Sequence, residues 1–384
     1  MDARHVTIEF ALHGTMRVLL TGARAPATLE LARLCARAGH EVHVADTSGW
    51  HVCRGSRLVA RHHRLPAPRD SLAAYAEALR HCAAQYRIDV VVPTCEEVFH
   101  LSAIRERVGV RVVCEPRERL RVLHDKWQFI AATRAAGLDA PRTWLLDDSS
   151  ADETERDTER ILKPRYSRFA TRVLRVPRGS ARPPLALLHA RAPGGWIAQE
   201  YLDGAARCTW SVAAAGRVLA HVTYAVDATA GPLGAAIAFH SVRHHAIREW
   251  VQHFSAHHRL SGQFAFDFIE TSEGVRAIEC NPRLTSGIHC FRALPTVANL
   301  LVGTVSDTAG AILEPEPGLR FRSRLALAVY RQPHHDGAGL LDAPDDPWPR
   351  RLQLVSWAQL LTAAAVSRTD PRVLSTRDIE WNGE

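Results

Sequence analysis

Two acids, Asp267 and Glu279, occupy positions at which a single β-hairpin would bring them side by side. They lie in two runs rich in Phe, Val and Ile that flank a short polar loop, a pattern that predicts a hairpin. If residues 272–274 form a three-residue loop whose glycine adopts the left-handed conformation, Thr271 faces Val275. Counting back along both strands then sets Asp267 directly opposite Glu279.

An amide side chain joins these acids on the same face of the predicted hairpin. Because side chains alternate between the two faces of a strand, Asn281 shares the face of Glu279. Three apolar residues point to the other face: Phe266, Phe268 and Cys280. Directly opposed carboxylates destabilise a strand pair, and a divalent cation removes that conflict. The sequence therefore predicts a Mg²⁺ (or Mn²⁺) site at Asp267, Glu279 and Asn281, and the alternative is a solvated hairpin that happens to carry acids.

A nucleotide phosphate is a natural partner for such a site. Mg²⁺ usually takes one or two protein carboxylates and completes its coordination with water and phosphate oxygens. Arg283 follows the amide by two residues and could reach the phosphate being transferred. We therefore assign Arg283 a catalytic role.

Lysine is almost absent from this chain: of its 48 basic residues only Lys126 and Lys163 are lysines. In a chain so biased towards arginine, a retained lysine indicates a site that needs a compact ammonium group with three donors. Lys126 opens a predicted helix that Gly137 ends, and a lysine at a helix start opposes the helix dipole unless an anion binds there. Lys163 follows two apolar residues of a predicted strand. Both are candidate phosphate ligands, and for Lys126 an ordinary surface lysine is the alternative.

These motifs together resemble the ATP-grasp superfamily. The pairing of FDFI with ECNPR resembles its last strands, in which the equivalent Asp, Glu and Asn hold Mg²⁺ between the ATP phosphates and the Arg supports the acyl-phosphate transition state. The TSGIH segment that follows is similar to the corresponding tail in one branch of the superfamily, the branch that resembles the carbamoyl-phosphate synthetase large subunit. The resemblance covers about residues 16–313. It implies a carboxylate-amine ligase, in which a carboxylate takes the γ-phosphate of ATP and an amine or other nucleophile captures the acyl phosphate.

The resemblance also implies roles for residues that contact the phosphates. Lys126 and Lys163 would contact ATP phosphate, and Lys163 would also take part in catalysis. The loop that covers the phosphates is usually rich in glycine in this family, whereas YSRFAT here has none. We therefore expect Ser167, Arg168 or Arg172 to bind phosphate through side chains. A basic, solvated hairpin is the alternative for these arginines.

The segment WIAQEYLDG resembles the family's hinge around adenine. It implies that Glu200 accepts a hydrogen bond from the exocyclic amine and that the Leu202 backbone satisfies a ring nitrogen. The candidate ATP contacts here are Gln199, Glu200, Tyr201, Leu202 and Asp203. Family members commonly carry an acid for the ribose hydroxyls soon after the glycine, whereas this chain has Ala205, Ala206 and Arg207. Asp203 is the candidate substitute.

The first part of the chain reads as a βαβ unit, with strands over 17–21 and 41–46. A dinucleotide fingerprint needs three glycines in its first turn, but only Gly22 is present and Pro26 stands where the turn opens. A nicotinamide-dependent oxidoreductase is therefore the less favoured alternative.

Polar residues follow the strand predicted over 88–92, where ligands bind in open α/β sheets. Thr94, Glu96 and Glu97 could line a substrate crevice, or the two acids could stabilise the next helix through its dipole. We assign tentative substrate contacts to five residues in two segments: Thr94, Glu96, Ser286, Gly287 and His289.

Composition excludes several classes of function. The net charge of +7 could suggest nucleic acid, but arginine is interleaved with 41 acids and forms no basic stripe. No apolar run approaches the 18 residues of a membrane helix, and the first residues do not resemble a signal peptide. Six histidines over 240–258 lack a partnering carboxylate motif, which disfavours zinc. We expect a cytoplasmic enzyme with small-molecule carboxylate and amine substrates, no nucleic-acid or membrane partner, and a possible homodimer.

The predicted fold class is α/β, with a Rossmann-like N-terminal (pre-ATP-grasp) domain followed by a two-subdomain α+β ATP-grasp fold. The predicted boundaries are 1–115 for the first domain, 116–195 for the small lid subdomain with its leading helices, 196–313 for the central subdomain with the metal site, and 314–384 for an extension of the central subdomain. A helix over 294–313 is expected behind the hairpin. The glycine-free loop and missing ribose acid leave a regulatory or weakly catalytic ATP-binding protein as the alternative function.

Overall fold

A computed structural model describes residues 14–147, 156–167, 172–192, 194–231, 234–303, 310–369 and 371–383. Three sheets organise these residues, one parallel sheet of five strands and two largely antiparallel sheets of four and seven strands. Within the described part of the chain, no helix is long and apolar enough to cross a membrane. The mixed α/β architecture agrees with the predicted fold class.

The N-terminal domain is a parallel sheet in the order β3-β2-β1-β4-β5. Its strands are β1 (Arg17–Thr21), β2 (Glu41–Asp46), β3 (Arg61–Arg64), β4 (Val90–Val92) and β5 (Arg111–Val112), and its helices are α1 (Pro26–Arg37), α2 (Leu72–Tyr86) and α3 (Val98–Ile104). The central strands are apolar and buried, as expected when helices cover both faces of a sheet. Pro26 is the first residue of α1, a position that suits its fixed φ.

The small sheet is antiparallel and follows two short helices, α4 (Arg117–His124) and α5 (Lys126–Ala135). Its order is β6-β9-β7-β8, with β6 (Thr143–Leu146), β7 (Arg160–Pro164), β8 (Leu174–Val176) and β9 (Trp196–Glu200), and α6 (Leu185–Arg191) precedes β9. Because β9 pairs with both β6 and β7, this sheet extends to Glu200. The predicted boundary at residue 195 would have cut β9 from its own sheet.

The central sheet has the order β14-β13-β10-β11-β12-β15-β16. Its strands are β10 (Ala205–Ala214), β11 (Arg217–Thr229), β12 (Ala236–Val242), β13 (Gly262–Thr271), β14 (Gly274–Asn281), β15 (Arg320–Arg322) and β16 (Ala338–Gly339). One face packs on α5 and on α7 (His245–His258) through an aromatic cluster around Phe254 and Phe266. The other face packs on α1 and on α8 (Thr296–Val302) around Trp210.

The helix predicted over 294–313 is wrong in its length. Helix α8 ends at Val302, and the next residue, Gly303, adopts the left-handed conformation with φ of 72°. Leu313 instead forms an isolated parallel bridge with Ala220, so the chain there is extended along the central sheet. The helical part packs on α1 and against β10 and β11 of the central sheet, whereas the expected position was behind the hairpin.

The last part of the chain leaves the central sheet and returns to the N-terminal domain. After β16 it forms α10 (Trp348–Ser367) and α11 (Pro371–Leu374), while α9 (Arg324–Val329) lies between β15 and β16. The residues after α11, called here the 376–383 segment, contact the N-terminal domain through ion pairs that join Asp378 to Arg24 and Glu380 to Arg69. The 314–384 region thus extends the central sheet and also covers the first domain.

A buried ion pair, Arg33 with Asp346, connects α1 to the residues that follow β16. Arg33 donates from Nε to Asp346 Oδ2 at 2.9 Å, and the two side chains are 0% and 1% exposed. Asp346 also accepts hydrogen bonds from Ser56 Oγ at 2.8 Å and from the Arg57 backbone amide at 3.0 Å. Removing the acid would leave the Arg33 charge buried without compensation.

We therefore expect Asp346→Ala to lower the free energy of unfolding by about 3–5 kcal/mol. The matched control is its neighbour Asp345, which pairs with Arg37 at 2.8 Å but is 45% exposed. Asp345→Ala should cost only about 0.2–1 kcal/mol, because solvent screens exposed pairs. Chemical denaturation measures both values, and equal losses in the two variants would contradict this interpretation.

Candidate active site

The β13–β14 hairpin brings Asp267 opposite Glu279, as predicted, but by a different route. Thr271 pairs with Gly274, so the turn has two residues and the predicted pairing of Thr271 with Val275 is wrong. A register shift between Asp267 and the next residue then restores the predicted pairing at the acids. The strand β14 therefore carries one extra residue, Ile278, which forms a β-bulge.

The bulge decides which side chains of β14 face the core. Strict alternation would put Ala277 and Glu279 on one face, whereas the bulge leaves Ala277 and Cys280 both in the aromatic core. Glu279 and Asn281 consequently share the opposite face with Asp267. The bulge also leaves the Ile278 carbonyl oxygen able to accept a hydrogen bond from a side chain.

The predicted metal ligands lie together on that face. Asn281 Nδ2 donates to Asp267 Oδ2 at 3.1 Å and to Glu279 Oε1 at 3.4 Å. Burial and the negative charge of Glu279 raise the pKa of Asp267. Burial acts on Glu279 in the same direction, but the charges of Lys126 and Lys163 outweigh it and lower the pKa of that carboxyl.

This arrangement fits a divalent cation. Two carboxylates and an amide are hard oxygen donors, and the raised pKa of Asp267 reflects negative charge that a cation would neutralise. Asn281 now turns its amide nitrogen towards the acids, and rotation of the side chain exchanges its nitrogen and oxygen. Asp267, Glu279 and Asn281 are therefore the residues that would hold the ion.

Both lysines of the chain lie at this site. Lys126 Nζ lies 3.4 Å from Glu279 Oε2 and donates to the Ser167 carbonyl oxygen at 3.1 Å. Lys163 Nζ donates to Gln199 Oε1 at 2.9 Å and to the Ile278 carbonyl oxygen at 3.2 Å. Burial lowers the pKa of Lys163 to about 8. The small sheet, α5 and the hairpin thus each contribute to one cluster of opposite charges.

Arg283 connects the hairpin to the N-terminal domain. Its Nε donates to Glu96 Oε1 at 2.8 Å, and its Nη2 donates to Asn281 Oδ1 at 3.3 Å. Glu96 lies in the loop between β4 and α3. The loop after a parallel strand therefore does reach the candidate site, through Glu96.

The neighbours of Glu96 instead turn into the N-terminal domain. Thr94 is buried and bonds the Thr28 hydroxyl at 2.6 Å. Glu97 accepts hydrogen bonds from the Thr21 hydroxyl at 2.6 Å and from the Thr94 backbone amide at 3.0 Å. Burial raises the pKa of Glu97. The structure thus brings Glu96 to the hairpin but gives Thr94 and Glu97 partners within their own domain.

The TSGIH segment forms a 3₁₀ helix, Ser286–Phe291, packed under the central sheet. A Cβ atom on Gly287 would lie 2.6 Å from Trp210 Cβ, so glycine permits a close approach there. His289 is buried and its Nδ1 lies 2.9 Å from Glu30 Oε2 on α1. Ser286 is partly buried. The substrate contacts of these three residues stay a prediction.

The candidate adenine segment lies along β9 and just after it. Gln199 bonds both Lys163 and the Thr143 hydroxyl, which places it between Lys163 and β6. Glu200 accepts hydrogen bonds from the Arg142 backbone amide at 2.8 Å and from Arg142 Nε at 3.0 Å. Beyond β9, Tyr201 has the Arg175 guanidinium 4.0 Å from its ring centroid, Leu202 is partly buried and Asp203 is exposed.

Two predicted phosphate residues of the loop can be placed, and one cannot. Ser167 is partly buried and accepts at its carbonyl oxygen from Lys126. Arg172 is exposed. Arg168 lies outside the described residues, so its predicted contact with ATP stays a prediction.

Sequence reasoning missed Asp125, which organises the start of this loop. Its side chain caps α5 by accepting from the Trp127 backbone amide at 3.0 Å. The same carboxylate accepts from Arg165 Nε at 3.1 Å and from the Tyr166 hydroxyl at 3.0 Å. An aspartate immediately before a predicted helix is a capping signal that could have identified the first of these roles.

The histidines over 240–258 make separate contacts. His240 bonds Asp227 at 2.8 Å, His244 bonds Glu270 at 3.1 Å, and His253 bonds the Ala136 carbonyl oxygen at 2.8 Å. Among the described residues, no group of three or more His, Cys, Asp or Glu is placed to hold a metal ion. The candidate metal site on the hairpin is not such a group, because its third oxygen donor is the amide of Asn281.

No protein-family model matches this sequence, and no curated protein matches it. Solved structures do match. An L-amino acid ligase from Bacillus licheniformis superposes with a TM-score of 0.57 at 16% identity, covering 75% of this chain and 75% of that chain. The biotin carboxylase domain of a Hydrogenobacter thermophilus 2-oxoglutarate carboxylase, in complex with MgADP, ADP and bicarbonate, gives 0.61 at 13% identity, covering 78% and 72%.

An N5-carboxyaminoimidazole synthetase from Staphylococcus aureus superposes with a TM-score of 0.60 at 13% identity, covering 82% of this chain and 83% of that chain. At such identities a structural likeness establishes the fold and no more. It agrees with the resemblance carried by the FDFI and ECNPR motifs. The chain therefore has the fold of these three solved structures, and the resemblance to the ATP-grasp superfamily implies the same fold.

Proposed function

We propose that this protein is an ATP-dependent ligase that activates a carboxylate as an acyl phosphate and couples it to an amine or another nucleophile. The observation that carries the proposal is the meeting of the only two lysines with two acids, an amide and an arginine in one site. These parts come from three separate elements. Phosphoryl transfer needs charge neutralisation and positioning, which such a set supplies.

The chain's own residues would act on the phosphates of ATP. Lys126 and Lys163 have ammonium groups that can bind phosphate oxygens, and both are now held by carbonyl, amide or carboxylate oxygens at 2.9–3.4 Å. Bound Mg²⁺ or Mn²⁺, held by Asp267, Glu279 and Asn281, would supply further positive charge there. Glu96 holds the guanidinium of Arg283 towards the hairpin.

In the proposed reaction a substrate carboxylate oxygen attacks the γ-phosphorus of ATP, and ADP leaves. The nucleophile then attacks the acyl carbon, and phosphate leaves. Arg283 would stabilise the negative charge that develops in the first step, and its hydrogen bond to Asn281, a proposed metal ligand, supports this role. The biotin carboxylase domain that shares this fold was solved with ADP bound, which supports a nucleotide as the ligand of the candidate site.

One observation favours a regulatory or weakly catalytic ATP-binding protein as a second candidate. The carboxylate of Glu200, proposed to accept from adenine, is engaged by Arg142 at two positions. The ribose acid is replaced by Ala205 and Ala206. Such a protein would bind ATP but would release no ADP with any carboxylate.

A screen of substrates distinguishes the two candidates. The purified protein is incubated with Mg²⁺, ATP and panels of amino acids and small carboxylates, with and without amines, and ADP release is measured. A ligase gives carboxylate-dependent ADP, and mass spectrometry identifies a product that joins the two substrates. Nucleotide binding without stimulated ADP release would favour the regulatory candidate.

Arg283→Ala should lower the rate of ADP formation by about 10- to 100-fold, because hydrogen bonds from a charged donor contribute about 1.5–3 kcal/mol. The loss should fall mainly on kcat if the guanidinium acts on the transition state. Steady-state kinetics measure the split. Arg243→Ala is the matched control, since Arg243 is 48% exposed and pairs with Glu314. An Arg283→Ala enzyme as fast as the Arg243→Ala enzyme would remove the catalytic role.

A further inference from the structure

The 376–383 segment is anchored to the N-terminal domain at its beginning. Arg24 donates to both carboxylate oxygens of Asp378 at 2.7 Å, and the Thr47 hydroxyl also bonds Asp378. Two residues after Asp378, the Glu380 carboxylate contacts Arg69, and the Glu380 carbonyl oxygen lies 3.2 Å from His100 Nε2. The start of the segment is therefore fixed at the carboxyl edge of the parallel sheet.

The end of the same segment packs against the loop that follows β7. The ring of Trp381, which is 4% exposed, lies 5.2 Å from Phe99 and 5.2 Å from Tyr166, with Tyr166 in an edge-on arrangement. A Cβ atom on Gly383 would lie 2.5 Å from the Tyr166 ring. The segment thus joins the N-terminal domain, through Phe99, to the small subdomain, through Tyr166.

Tyr166 is linked in turn to the phosphate lysines. Its hydroxyl donates to Asp125 Oδ2 at 3.0 Å, and the same carboxylate binds Arg165. The Lys126 backbone amide donates to the Arg165 carbonyl oxygen at 3.2 Å, and Lys126 Nζ donates to the Ser167 carbonyl oxygen at 3.1 Å. A displacement of Tyr166 would therefore move the backbone that contacts Lys126.

We propose that Trp381 is a positioning residue for ATP: it holds Tyr166, and through Asp125 it sets the backbone of residues 165–167 against Lys126. This inference rests on the proposed function, because it assigns the loop to ATP phosphates. The ring of Trp381 contacts Phe99, His124 and Tyr166, and of these Tyr166 bonds the carboxylate of Asp125. The effect of Trp381 should therefore appear in the affinity for nucleotide, since a backbone that contacts Lys126 in one arrangement before binding loses less entropy when ATP binds.

Three variants separate the steps of this chain of contacts. Trp381→Ala removes the edge-on ring contact, and Trp381→Phe keeps an aromatic ring beside Tyr166. Tyr166→Phe keeps the ring contact but removes the hydrogen bond to Asp125. The matched control is Trp50→Ala, because Trp50 is 49% exposed and its ring contacts Arg54.

The dissociation constant for ATP, measured by calorimetry on variants that show the wild-type circular dichroism spectrum, tests the proposal. Tyr166→Phe and Trp381→Ala should each weaken binding by roughly threefold to tenfold, Trp381→Phe should recover most of the loss, and Trp50→Ala should change nothing. In the double variant Tyr166→Phe/Trp381→Ala, the loss of binding free energy should be smaller than the sum of the two single losses, because both changes interrupt the same path.

Each outcome decides a different claim. Wild-type protein that binds no ATP would remove the proposed function together with this inference. Suppose instead that the wild-type protein binds ATP, that Tyr166→Phe keeps the wild-type affinity, and that Trp381→Ala binds ATP as tightly as Trp381→Phe. This result would overturn the positioning role alone. If Trp381→Ala does not fold, Tyr166→Phe decides: unchanged affinity overturns the proposal, and a threefold or greater loss supports it.

Discussion

Lys163→Ala is expected to lower the kcat of ATP turnover by about 10²–10³-fold, by analogy with the removal of one donor from a preorganised charged site. Lys163 is 5% exposed and touches the hairpin at the Ile278 carbonyl oxygen, so its ammonium group lies between the small sheet and the acids. Lys163→Arg should not restore activity. A planar guanidinium does not fit a buried site that is shaped for a compact ammonium group.

The pH dependence of the wild-type enzyme offers a second measurement on Lys163. Burial lowers its pKa to about 8, so the side chain is charged below this pH and neutral above it. The value of kcat/KM for ATP should therefore fall as the pH rises through about 8, because kcat/KM reports groups of the free enzyme. Lys163→Met serves as a control for folding, since its unbranched side chain fills the space of the lysine stem as far as Cε but carries no ammonium group. Undiminished turnover in Lys163→Ala would remove the ligase assignment.

Asp267→Asn should also lower turnover by at least about 10²-fold, and yet it should not destabilise the protein in the absence of divalent cation. The pKa of Asp267 is raised, which means that the folded state disfavours the ionised carboxylate. The neutral amide removes this repulsion from Glu279. The thermal midpoint without cation should therefore stay equal or rise, whereas the increase produced by added Mg²⁺ and ATP should be lost.

Glu279→Gln is the matched comparison, and it should behave in the opposite way without cation. The pKa of Glu279 is lowered in spite of its burial, because Lys126 and Lys163 stabilise its charge. Its neutralisation leaves both lysines without that partner, so the thermal midpoint should fall. Differential scanning fluorimetry of the two variants, with and without Mg²⁺, gives the comparison. Equal destabilisation by both changes would contradict the assignment of the repulsion to Asp267.

The comparison of sequence and structure is clearest along the hairpin. Composition and alternation of apolar residues were enough to place Asp267, Glu279 and Asn281 on one face, because these patterns are local to the strands. The loop length was predicted wrongly, since the turn has two residues and the bulge at Ile278 supplies the compensating shift. A bulge depends on what the strand packs against, and here it keeps Ala277 and Cys280 together in the aromatic core.

The sequence by itself thus determined the identity of the charged residues, the strands and helices that carry them, and the unusual retention of Lys126 and Lys163. Only the tertiary structure decided that Glu96 binds Arg283, across a gap of 187 residues, and that Trp381 of the 376–383 segment packs on Tyr166, across a gap of 215 residues. The physical reason is that periodicity and capping arise from neighbours within a few residues. Ion pairs and ring contacts between domains depend on how the sheets pack, and no local pattern encodes that packing.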